Sequence, residues 1–151
     1  MCAPKELLRS IREIANRCLA SEPLDDAQSR LVGAAFQEYI DHRFKTMDEA
    51  LGLTFPRGGV PWWLEEAIET RNSALQELAD RHFSDRTRAV QARAIHRLAT
   101  RYQTTAWLRD KERSAMEPGY EDTPKEWLWR AFQSGAAMPI SERQLRSILK
   151  A

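Results

Sequence analysis

The sequence predicts an all-α fold: a helical bundle of four long helices plus two short C-terminal helices. Three observations lead there. Apolar residues recur at three- and four-residue spacing along most of the chain. No stretch alternates apolar and polar residues with β-branched enrichment, so strand signals are absent. Proline, glycine and capping residues punctuate the periodic segments at intervals that suit helices. With 151 residues and 42% hydrophobic content, the chain is expected to form a single all-helical domain over residues 1–151.

The first helix is expected over residues 5–20, where Leu7, Leu8, Ile11, Ile14, Ala15, Cys18 and Leu19 make one stripe. Ser21-Glu22-Pro23 breaks it. A second helix, about 24–45, carries Ala27, Leu31, Ala35 and Tyr39 beside Val32, Phe36, Ile40 and Phe44. That face is broad enough for burial on two sides. Residues 52–61 form the main internal break, with Pro56-Arg57-Gly58-Gly59-Val60-Pro61 at its centre. A third helix starts at Pro61, and Glu65, Glu66 and Glu69 lie near its N-terminus, where the helix dipole favours negative charge. Its stripe is Leu64, Ala67, Ile68, Leu75, Leu78, Ala79 and Phe83. The fourth helix, capped by Ser84 or Asp85, is expected to run to about Met116. Pro118-Gly119-Tyr120 ends it. Residues 123–151 then hold the short C-terminal pair, each member opened by a capping box: Thr123 with Glu126, and Ser141 with Gln144.

Composition limits the function classes. No segment approaches the roughly 20 apolar residues of a membrane span. The N-terminal residues run directly into an amphipathic pattern without a signal-peptide core. Two cysteines are too few for a disulfide framework, so a cytoplasmic protein is expected.

The net charge of +1 conceals a split: residues 1–85 carry −5 and residues 86–151 carry +6. The sharpest local asymmetry is an acid-free run containing Arg86, Arg88, Arg93, Arg97, Arg101 and Arg109. On a helical wheel Arg86, Arg93, Arg97 and Arg101 fall within about 80° of one another. Ile95, Leu98, Ala99, Tyr102 and Ala106 fall opposite, between roughly 120° and 220°. A row of guanidinium groups over about 22 Å of helix axis matches what a phosphate backbone requires. It equally suits a carboxylate-rich protein surface, or acids of the same chain such as Glu77 and Asp80. Trp107 breaks the pattern; it is either an aromatic contact for a partner or a cover for Trp127, Leu128 and Phe132, and packing is the preferred reading. The C-terminal pair, with Arg143, Arg146 and Lys150 on its second helix, invites comparison with a helix-turn-helix, although its turn is too long for that motif.

For catalysis the inventory is thin. Glu38 and His42 sit one turn apart, but no Glu-x-x-His repeat supports a di-iron bundle. His82 lies on an apolar stripe, and His96 neighbours the arginines. No Cys/His set has zinc spacing. The Gly58-Gly59 segment matches no phosphate-loop signature. The expectation is therefore a non-enzymatic protein with no cofactor and no metal. Its expected binding residues are Arg86, Arg93, Arg97, Arg101, Arg143 and Arg146, with Trp107 as a candidate aromatic contact. The expected partner is nucleic acid; the alternative is an acidic protein surface, including a second copy in a homodimer.

Overall fold

The computed structural model describes residues 5–54 and 58–150. Among the described residues eight α-helices appear in the order α1 (Lys5–Leu19), α2 (Asp26–Ile40), α3 (Met47–Ala50), α4 (Trp62–His82), α5 (Arg88–Thr104), α6 (Trp107–Asp110), α7 (Pro124–Gln133) and α8 (Glu142–Ile148), with a 3-10 turn at Pro118–Tyr120. No strand occurs among the described residues. The four long helices are α1, α2, α4 and α5; α7 and α8 form the short C-terminal pair, and α3 and α6 are single turns. The chain divides into two compact units, residues 1–62 and 63–151. Residues 55–57 of the expected break at 52–61 lie outside the described residues.

In the first unit, the helix ends account for the boundaries. Asp25 caps α2: its Oδ1 accepts from the Gln28 amide at 2.8 Å, while Gln28 Oε1 accepts from the Asp25 amide at 3.2 Å. Thr46 and Glu49 repeat this box at α3. Helices α1 and α2 then stop on residues in the left-handed region, Ser21 (φ 56) and His42 (φ 56). The Glu22 amide reaches Arg17 O at 2.8 Å, and the Arg43 amide reaches Glu38 O at 3.0 Å, closing each helix with a Schellman bond. This corrects the expected second helix: α2 ends at Ile40 instead of about residue 45, because His42 takes the left-handed position usually held by glycine. Its apolar face is also less buried than expected. Ala35 is buried, but Phe36, Tyr39, Ile40 and Phe44 are exposed. Cys18, read as part of an apolar stripe, is an exposed free thiol.

In the second unit, α4, α5, α7 and α8 build one core from Leu75, Leu78, Ile95, Leu128 and Leu145, all essentially inaccessible. Small side chains at Ala74, Ala79, Ala92, Ala99 and Ala131 are buried between them, which lets the helices approach closely. The most extensive helix–helix contact is α5 with α8. Helix α4 holds the C-terminal segment by its backbone: Arg71 donates to Ala137 O, and Gln76 Nε2 donates to Ile148 O at 3.0 Å. Burial lowers the Arg71 pKa from its ordinary value.

The expected fourth helix is broken. Helix α5 begins later than Ser84 or Asp85 would place it, with Thr87 at its N-cap, and ends at Thr104 instead of Met116. The Thr104 and Thr105 hydroxyls turn back onto their own helix, donating to Thr100 O at 3.1 Å and Arg101 O at 2.6 Å. Two adjacent β-branched residues bonding to carbonyls a turn behind bend and weaken a helix. The chain turns at Thr105 (φ −123, ψ −89) and restarts as α6.

Candidate functional site

The break at Thr105 delivers Asp110 to the core. Asp110 is fully buried. Its Oδ2 accepts from the Tyr102 hydroxyl at 2.9 Å and from the Tyr120 hydroxyl at 2.8 Å. Arg109 Nε donates to Oδ1 at 3.2 Å, and another Arg109 nitrogen reaches the Tyr120 oxygen at 3.1 Å. Glu117 completes the cluster by accepting from Arg109 at 2.9 Å and Arg113 at 2.8 Å. Burial alone would push the Asp110 pKa up; the hydrogen bonds from Tyr120, Tyr102 and Arg109 outweigh it and hold the carboxylate below its ordinary value. Burial, and then the bond to Asp110, raise both tyrosines above theirs. Sequence reasoning missed this cluster, because nothing local marks Asp110 as different from a surface acid.

The basic residues separate into held and free groups. Arg86 lies in the turn before α5, so the helical wheel does not place it. Its guanidinium lies 5.4 Å from the Phe83 ring centroid and 4.0 Å from Asp85. Arg88, off the face, pairs with Asp80 at 3.6 Å. Arg93 reaches Glu142, the first residue of α8, at 3.8 Å. Arg97 and Arg101 are exposed and make no ion pair among the described residues. The same holds for Arg143 and Arg146 on α8. The acids weighed as internal partners are occupied elsewhere: Glu77 binds Arg81 at 2.8 Å and Asp80 binds Arg88. The counter-charge that does reach the face, Glu142, lies 49 positions along the chain from Arg93, and no helical spacing could have revealed it.

Trp107 is half-buried, its ring 5.1 Å from Phe132 and 6.2 Å from Tyr102, which is the packing role the sequence favoured. His82 is half-buried on α4, and its Nε2 has no hydrogen-bond partner among the described residues. Glu38 and His42 gather no third ligand: among the described residues no group of three or more His, Cys, Asp or Glu side chains is placed to hold a metal ion. Part of the Pro56–Pro61 loop, whose Gly58-Gly59 segment matches no phosphate-loop signature, lies outside the described residues. No helix among the described residues is long and apolar enough to cross a membrane.

Among the described residues, α5 therefore presents two exposed guanidinium groups without an ion pair, Arg97 and Arg101, one turn apart. Comparison against models of protein families, against curated proteins and against solved structures finds no match to this chain.

Proposed function

We propose that the chain is a non-enzymatic, nucleic-acid-associated protein of the cytoplasm, a DNA-binding or regulatory accessory factor that uses the arginine face of α5. The observation that carries this reading is that Arg97 and Arg101 stay exposed and without an ion pair among the described residues, while nearby acids are bound to other arginines. A solvated arginine pair in that setting is available to phosphate oxygens at little desolvation cost. Arg143 and Arg146 extend the positive charge onto α8, the helix most closely packed on α5.

Replacing Arg97 and Arg101 with Glu tests it. Binding of labelled duplex DNA and of RNA should weaken by at least about tenfold, and the slope of log affinity against log salt should fall by about two. Unchanged affinity and slope would remove this face from nucleic-acid binding. A second reading, a protein-interaction module that includes a homodimer, draws support from the exposure of Phe36, Tyr39 and Ile40 on α2. Sedimentation of a monomer across the micromolar range, together with retained DNA binding, would count against it.

A further inference from the structure

Arg101 opens from the arginine face into a cavity of about 350 Å³ between the end of α5 and the first turn of α7. Lys125 is the second cation on its wall, and neither side chain has a carboxylate partner among the described residues. Lys125 lies 5.2 Å from the Tyr120 ring centroid, so aromatic contact places the ammonium without neutralising it. The remaining wall is formed by half-buried Leu98, Ala106 and Pro124, the exposed Thr105 and the buried Tyr102 and Leu128, and is apolar apart from the threonine hydroxyl. The volume lies within the about 300–1,000 Å³ typical of small-ligand sites. Two unneutralised cations on a mostly apolar wall suit a ligand with one anionic end and one planar, weakly polar body.

We infer that this cavity takes one nucleotide, its phosphate between Arg101 and Lys125 and its base against Leu98, Ala106 and Pro124. The inference rests on the nucleic-acid reading of the α5 face and specifies it. Paired bases in a duplex cannot enter a cavity, whereas an unstacked base from a single strand can. The ligand is thus a nucleotide phosphate, either free or within a single strand. Arg97, outside the cavity, tracks the neighbouring phosphate.

The test compares a fluorescent oligothymidylate, a duplex of the same length and adenosine monophosphate against three proteins: the unaltered chain, Lys125→Gln and Ala106→Leu. Lys125 is exposed and outside the core, so its replacement spares the fold; Ala106→Leu fills the cavity without touching either cation. Each variant should weaken oligothymidylate binding by about tenfold or more while leaving duplex binding unchanged. Competition by adenosine monophosphate at millimolar concentration or below would identify the free nucleotide as a ligand; no competition would assign the cavity to a nucleotide within a strand. Equal losses on duplex and single strand, or no loss in either variant, would overturn the cavity assignment while leaving the α5 face intact. Absence of binding to every probe by the unaltered chain would overturn both. Should Ala106→Leu melt early, Lys125→Gln alone decides.

Discussion

Asp110 is buried and accepts hydrogen bonds from both Tyr102 and Tyr120, so removing its carboxylate strands two hydroxyls in the core. Asp110→Ala should cost about 2–5 kcal/mol of unfolding free energy, readable by urea denaturation, because buried donors without partners carry their full desolvation penalty. A loss below about 0.5 kcal/mol would show that the cluster is solvated in solution. The same groups set the pH response. The pKa of Asp110 is lowered on folding, so its contribution is complete above the ordinary carboxylate value near 3.9 and disappears as pH falls through the lower folded value. The pKa of Tyr102 is raised, so its contribution is complete below about 10 and is lost as pH rises beyond that. Melting temperature should therefore fall at both extremes, and Tyr102→Phe should reduce the alkaline fall. An alkaline limb of unchanged steepness in that variant would assign the loss to other groups.

Helices were legible where their apolar stripe faces the core and illegible where they end. Leu75, Leu78 and Ala79 of α4, and Ile95, Ala99 and Tyr102 of α5, were read from periodicity and are buried. The ends were misplaced for identifiable reasons. His42 adopts a left-handed cap without being glycine, and α5 is stopped by threonine hydroxyls, with neither Pro nor Gly at the break. The arginine face was legible as a direction, but its division was not. Glu142, which reaches Arg93, arrives through tertiary packing of α8 on α5. That packing depends on Leu145, which is buried against the core formed by α4, α5 and α7. Leu145→Ala should destabilise the chain by about 2–5 kcal/mol through lost burial and a residual cavity. Loosening α8 should also release Arg93 from Glu142, so DNA affinity at low salt should stay equal or rise despite the lost stability. A parallel fall in affinity would instead tie binding to an intact α8 and its Arg143 and Arg146.

At the scale of the whole chain, the apolar core is unevenly shared between the two units. Among the described residues of the first, the buried apolar side chains are Ile14, Ala35 and Leu53. The second buries Leu75, Leu78, Ile95, Leu128 and Leu145 almost completely, each worth about 1.5–3 kcal/mol of transfer free energy. Backbone ordering costs about 1–2 kcal/mol per residue in either unit, so the first has far less burial to offset it. Its α1 and α2 should therefore open without unfolding the second unit, as locally unstable segments do. Native-state hydrogen exchange gives the measurement: amides of α1 and α2 should exchange at least about tenfold faster than those of α4, α5 and α7. Added oligonucleotide should slow exchange in α5 and α8 while leaving α1 and α2 unchanged, because the proposed contacts lie in the second unit. Equal protection in both units would mean that α1 and α2 share the stability of the core.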